Sequence, residues 1–269
     1  MQYDSSLKTQ TSLQLMKRWV VNYFNQHSDA AAREFIAPDY TLEIGDVVFA
    51  GRDDQWLPAV QKQFKLFPSL SMTVHQAIAG DGWAAAWFSE HGASDGKAAC
   101  WSGVAIYRND GVQLTRCVAQ EDYFSRHRQM KSGVCDALEA PAVAPWDMPQ
   151  ASPNAEAMAV VKEWLNGSWP PAEASVRCDD EHLTGVPLQF QVQSTVIDEL
   201  HASGNDVVFH ARQVGTYLDG LAGIAPRQTK AVLHCNGILK VEDGRVRQGR
   251  LIRDRIGLKA SLKKATTNA

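Results

Sequence analysis

The sequence has little to offer a metal ion or an oxidising compartment. Its five cysteines (Cys100, Cys117, Cys135, Cys178, Cys235) are scattered, odd in number and form no CxxC pair. That argues against a disulfide framework and against a zinc site, and suits a reducing cytoplasm. The eight histidines show no HExxH or similar ligand spacing, so no metal is expected. Charge of one sign is also missing: 27 Lys and Arg stand against 30 Asp and Glu, a net charge of -3. Bulk electrostatics therefore give no reason to expect nucleic acid as a partner. The polar start MQYDSSLKTQ lacks the apolar core of a secretion signal, and no apolar run is long enough to span a bilayer. A cytoplasmic protein with no membrane partner is the expectation.

What is present divides in two. Between Lys131 and Pro153 the chain is rich in Pro and Ala, with Pro141, Pro145, Pro149 and Pro153 at spacing four. Proline at that spacing removes helical donors and clashes with the preceding turn. The expected organisation is a first domain over 1–131, a linker over 132–153 laid against the surface through Trp146, and a second domain over 154–263 with a frayed tail beyond.

The first half opens with Leu13, Met16, Val20, Tyr23 and Phe24 on one helical stripe, capped by Thr11 or Ser12. Ser28 and Asp29 cap a second short helix, followed by the strand YTLEI, a turn at Gly45–Asp46, VVFAG, and a third helix from about Asp53 to Leu66. After Pro68 the period changes to two. SMTVHQAIA, WAAAWFSEH, AACWSGVAIY and VQLTRCVAQEDYF are separated by GDG, SDG and NDG turns, which are strong hairpin signals.

The second half repeats the order. Asn154 caps a helix carrying Met158, Val161 and Leu165, a short helix is expected around Ala172 to Val176, and four long strands follow. The third helix has no evident counterpart. The NDG and EDG turns (Gly111, Gly244) lie 133 residues apart, and Asp122 and Asp254 lie 132 apart. Duplication is the economical reading. The expected fold class is α+β: two tandem cone-shaped domains, each with N-terminal helices packed on a strongly curved antiparallel or mixed sheet. Such sheets are expected to pair face to face as an intramolecular pseudo-dimer, with further dimerisation open.

The second half carries Gly215, Thr216, Gly220, Gly223, Ile224, Pro226, Asp243, Gly244, Val246, Asp254, Gly257, Leu258 and Leu262 in an order and spacing that resembles the SnoaL-like polyketide cyclases of the nuclear transport factor 2-like superfamily. The first half is similar to the same family in Asn22-Tyr23-Phe24, IAPDYTLEIG and FPSLSMTVH, and in LTRCVAQEDYFSRHRQM, which sets Asp122 eight residues after Leu114 and Gln129 seven after Asp122. The departures are Tyr217 where the family has His, Ser261 where it has Gln, and a shortened hairpin around His91.

The resemblance implies a cofactor-free aldol cyclase or isomerase acting on a small apolar carbonyl compound. It makes Asp122 and Asp254 the candidate general acid/base residues. A carboxylate inside an apolar cone is desolvated, which raises its pKa and its basicity. His91, Gln129 and Tyr217 are the candidate hydrogen-bond donors to substrate. The bland reading stands beside each: an exposed strand-end carboxylate for Asp122, an ion pair with Arg253 or Arg255 for Asp254, structural polar residues for the rest. Two other functions fit the same pattern, a non-catalytic carrier of a small apolar ligand and a scaffold in which one half only completes the pseudo-dimer. The run KVEDGRVRQGRLIRDR, with five arginines, reads as a solvated or sheet–sheet face, or as a phosphate or nucleotide patch.

Overall fold

The computed structural model describes residues 10–149, 151–167 and 175–267. The first helix, α1 (Ser12–Arg18), begins on a capping box in which Thr11 and Gln14 satisfy each other's backbone donors. It runs into a π turn at Trp19–Tyr23 and a 3-10 turn at Phe24–Gln26, which turn Trp19, Tyr23 and Phe24 together into the core. Ser28 caps α2 (Asp29–Phe35) through the Ala31 amide. β1 (Ile36–Ile44) and β2 (Val47–Ala50) form a hairpin, and α3 (Leu57–Leu66) follows. β3 (Ser71–Gly80), β4 (Trp83–Ser94), β5 (Lys97–Asn109) and β6 (Leu114–Glu121) complete a six-stranded sheet of order β2-β1-β6-β5-β4-β3, in which only the β1–β6 pair is parallel.

After α4 (Tyr123–Ser132) comes an irregular segment, and then the second unit: α5 (Ala155–Asn166), β7 (Ser175–Cys178), α6 (Glu181–Thr184), β8 (Gln189–Ser203), β9 (Asp206–Asp219), β10 (Thr229–Glu242), β11 (Arg245–Arg253) and α7 (Arg255–Thr267). Its sheet runs β7-β11-β10-β9-β8 with β7 parallel to β11, the first sheet's order without its β2 edge. The α+β tandem of cone-shaped units is therefore the observed architecture. The Asp–Gly turns behave as their sequence demands: Asp95–Gly96 and Asp243–Gly244 both have positive φ at the two turn residues.

Four local expectations need correction. Ser175 and Val176 lie in strand β7 rather than in a helix, while 172–174 fall outside the described residues. The strands written as VQLTRCVAQEDYF and RVRQGRLIRDRI stop at Glu121 and Arg253, because Asp122 and Asp254 break them and start helices. α7 continues to Thr267, past the point where the sequence reads as frayed. β8 is also longer than read, reaching Ser203. Trp146 does lie partly buried against the first core.

Alternation assigns the two faces of the first sheet. Ala84, Ala86 and Phe88 of β4, Ala99, Trp101, Ala105 and Tyr107 of β5, and Cys117 and Ala119 of β6 point into a cone closed by α1 to α3. The intervening residues face the second sheet, where Ile78, Trp83, Ala85, Val104 and Ile106 pack on Val208, Ile238 and Ile252. Polar ties cross the same interface. Asn236 donates to the Val104 and Val118 carbonyls at 2.9 and 3.0 Å, and Arg108 and Arg116 both reach Glu199 at 2.5 Å. His210, Asn236 and His234 thus belong to a face between the units, where buried amides need partners from the opposite sheet.

Candidate functional site

Inside the first cone lies an apolar cavity of about 100 Å³. Its depth is walled by Trp19, Phe24, Phe88, Ala105, Tyr107 and Ala119, and its rim by half-buried Ile44, Phe49, Val60, Gln63 and Tyr123. The small residues on the central strands leave the space that Leu or Phe would fill. Two carboxyl groups look into it, Glu90 and Glu121.

The strands explain how they meet. Glu90 follows Ala84, Ala86 and Phe88 on the inward face of β4, and Glu121 follows Cys117 and Ala119 on that of β6. On β5 between them, Glu90 pairs with Trp101 and Glu121 with Gly103. Gly103 has to be glycine here: a Cβ would sit 2.4 Å from the Phe88 ring and 3.1 Å from Cγ of Glu121. Its bare backbone lets both side chains close over β5.

Burial pushes both carboxyls above the ordinary glutamic acid range, and the charge of Glu121 raises Glu90 further. Glu121 is the better ionised. The Tyr123 hydroxyl and the Trp101 indole, at 3.2 Å, donate to it, and the Arg126 charge lies nearby. Glu90 is pushed well up by burial and then by Glu121, and donates its proton to that neighbour. Two carboxyls crowded into one dry site favour the state in which a single proton lies between them. Arg126 stacks over Tyr123, Trp101 and Phe67 at 4.3, 5.1 and 5.5 Å and donates to Gln63 at 3.1 Å. A charged acceptor beside a neutral acid, in an apolar chamber, can take a proton from carbon while donating a hydrogen bond to oxygen.

None of the residues singled out from the sequence lines this cavity. Asp122 is buried but turned to the other side of the sheet. It caps α4 through the Ser125 amide at 3.0 Å and pairs with Arg255 of the second unit at 2.5 Å. Burial pushes its carboxyl up to about 6, against the pull of Arg255. Asp254 caps α7 through the Gly257 amide at 2.7 Å. Its carboxylate is wedged so closely that a Cβ on Gly45 or Gly257 would stand 2.1 or 2.0 Å from it. It faces a cleft shared with Asp46 and His234 and makes no ion pair with Arg253 or Arg255, whose acids are Asp179, Glu181, Asp122 and Asp180. His91 bonds Thr73 on the outer face at 3.1 Å. Gln129 is fully buried, clamping the Cys100 backbone from both sides and the Asp136 amide. Tyr217 lies in the second core, its hydroxyl accepting from the Leu221 amide at 3.3 Å. The sequence did contain the signal for Glu90 and Glu121: an acid in phase with the apolar face of a strand.

The second cone lacks such a pair. Matched by the strand ends, where Asp122 and Asp254 donate to the Ser102 and His234 carbonyls, its residues are Gln213, Leu233 and Arg253. Matched by the Gly103–Phe88 and Gly237–Phe209 contacts, they are Ala211, Cys235 and Leu251. Neither alignment supplies a carboxylate. Arg253 instead turns inward and binds Asp179 and Glu181. Among the described residues no group of three or more His, Cys, Asp or Glu side chains is arranged to hold a metal, and no helix is long and apolar enough to cross a membrane.

Residues 16–116 match the SnoaL-like domain family. No curated protein matches the chain. Among solved structures, IdmH from Streptomyces antibioticus, a proposed polyketide cyclase, is 20% identical over 44% of this chain and 96% of its own, with a TM-score of 0.39. A SnoaL-like polyketide cyclase candidate from Shewanella denitrificans is 14% identical over 45% of this chain and 97% of its own, with a TM-score of 0.42. An epoxide hydrolase-like protein of M. tuberculosis is 9% identical over 46% and 91%, with a TM-score of 0.41. Each neighbour is close to fully covered and spans about half of this chain. The match to the SnoaL-like domain family thus falls within the first unit.

Proposed function

We propose that this SnoaL-like unit is the working half of the protein, a cofactor-free acid/base catalyst for aldol closure or isomerisation of a small apolar carbonyl compound. The observation that carries the proposal is the pair of carboxyl groups, Glu90 and Glu121, lining an apolar cavity. In this reading Glu121 removes the proton from the carbon beside the carbonyl, held in place by Trp101 and Tyr123. Glu90 donates to the carbonyl oxygen as negative charge develops there. The acid/base role expected of Asp122 and Asp254 passes to this pair, because those two side chains cap helices outside the cavity.

Size narrows the substrate. An apolar cavity of roughly 150 Å³ holds a benzene molecule, so about 100 Å³ suits a short chain, or a single ring that extends past the half-buried rim. The second unit, with Arg253 turned inward, serves as the partner that covers the outer face of the first sheet.

The test is proton exchange on a panel of single-ring β,γ-unsaturated ketones and 1,3-diketones in D2O, followed by NMR. The wild type is expected to accelerate exchange, and Glu121→Gln to lower the rate by about 10²–10⁴-fold, the usual worth of a positioned general base. Asp254→Asn should stay near wild type. Exchange that survives both Glu121→Gln and Glu90→Gln would overturn the assignment. Tight binding in the cavity with no exchange would favour the carrier reading.

A further inference from the structure

A second cavity, of about 340 Å³, lies between the two units on the far side of the first sheet. Ser89 and Ser102 of the first sheet, Arg250 of β11, and the irregular segment after α4 wall it. Arg250 is one of the five arginines clustered in the sequence and is only 2% exposed. Its Nη1 donates to the Arg177 and Leu251 carbonyls at 3.1 and 3.2 Å, but its Nε has no hydrogen-bond partner. Among the described residues the only carboxylate in ion-pair range is Glu139, with Oε1 3.7 Å from that Nε. Glu139 Oε2 takes a better bond from Arg177, at 3.1 Å.

The other acids of the cleft are spoken for. Asp122 binds Arg255, Asp136 binds Arg128, and Asp180 binds both. Burial lowers the Arg250 pKa, whereas the neighbouring Arg128, Arg253 and Arg255 are raised by closely paired carboxylates. A buried guanidinium with a free donor and one distant carboxylate is under-compensated.

We infer that this inter-unit cleft is a binding site for a small carboxylic acid, seated on Arg250 and Arg177, and that the Glu139 side chain occupies it as a resident substitute. The segment carrying Glu139 is pinned on both sides of it. The Asp136 amide bonds to Gln129, the Ala140 carbonyl to His75 Nδ1, and the Ala142 amide to the Val74 carbonyl. Glu139 can therefore swing out by side-chain rotation while its backbone stays in place. An incoming carboxylate meets the fork of Arg250, for which planar two-oxygen anions are the matching shape. The body of the acid lies along Ser89, Ser102 and Trp101.

Calorimetric titration with benzoate tests this, with benzamide as the uncharged probe of the same shape. Glu139→Ala should bind benzoate at least tenfold more tightly than the wild type, because the competitor is gone. Benzamide should bind weakly to both. In the Glu139→Ala background, Arg250→Met should abolish benzoate binding. Should Arg250→Met fail to fold, Arg177→Gln, at a half-exposed side chain, decides instead: it must weaken benzoate several-fold. Equal affinity in wild type and Glu139→Ala, equal binding of benzoate and benzamide, or affinity indifferent to Arg177→Gln would each overturn the inference.

Discussion

Replacing Arg255 by Met tests how the two units are held together. Its guanidinium reaches Asp122 at 2.5 Å, Asp180 at 2.7 Å and Asp179 at 3.4 Å. All four side chains are no more than 5% exposed. Met keeps most of the apolar stem, which lies by Phe124 (the guanidinium carbon is 4.8 Å from its ring), so the change isolates the charge. Removing one partner of a buried ion pair costs about 3–5 kcal/mol, since the orphaned carboxylates stay out of water. At roughly 2–4 °C per kcal/mol for a chain of this order, the melting temperature should fall by about 10 °C at pH 7.5. The deficit should shrink at pH 5.5, where Asp122, already pushed up to about 6 with its arginine present, takes up a proton and ceases to need one. Adding Asp122→Asn to the variant should recover part of the loss at pH 7.5. Calorimetric melts of the three proteins at both pH values are sufficient. A loss below about 1 kcal/mol at pH 7.5, or one of equal size at both pH values, would refute the reasoning.

Other outcomes are expected from the same structure. Ala119→Phe should fill the first cavity and abolish small-ligand binding there while leaving benzoate binding in the Glu139→Ala protein intact, as titration of each ligand would show. Asn236→Leu leaves the Val104 and Val118 carbonyls without their donor and should cost about 1–3 kcal/mol in urea denaturation. Stability should rise as pH falls from 7 through about 6, because Asp122 binds its proton more tightly folded than unfolded. That contribution is complete below the unfolded pKa and lost as pH rises through the folded one. Glu199 has the opposite sign: burial would raise it, but bonds from His201 and Arg108 hold it at about 2. Its contribution is present above the unfolded pKa of about 4.5 and disappears as pH falls toward 2. The urea midpoint should therefore rise as pH falls below 7 and peak between the two unfolded pKa values, about pH 3.8 to 4.5, and a midpoint that falls steadily from pH 7 to 5 would contradict the Asp122 assignment.

Much of the architecture was legible because it is written in periodicity. Strand alternation and the Asp–Gly turns act through local backbone physics, and the structure follows them. Helices α4 and α7 were harder to see. Asp122 and Asp254 follow β-like runs, and their capping oxygen is recognised only once the next three residues are known to turn. The candidate site was legible in part. Glu90 and Glu121 sit in register with Ala84, Ala86, Phe88, Cys117 and Ala119, but family resemblance drew notice to the residue beside Glu121. That shift by one position moves a strand side chain to the opposite face of the sheet. The Arg253 and Arg255 networks were not legible, since their partners lie over 70 residues away in the chain.

The sheet-to-sheet packing also fixes what happens when the protein is scarce. Two separate chains that met through such faces would part on dilution, exposing Trp83, Ile106 and Val208 to water and to other proteins. Joined by one peptide, they meet at a local concentration in the millimolar range set by the tether, whatever the number of molecules present. The unequal halves then stay in one-to-one proportion, each copy of the first unit carrying its own cover.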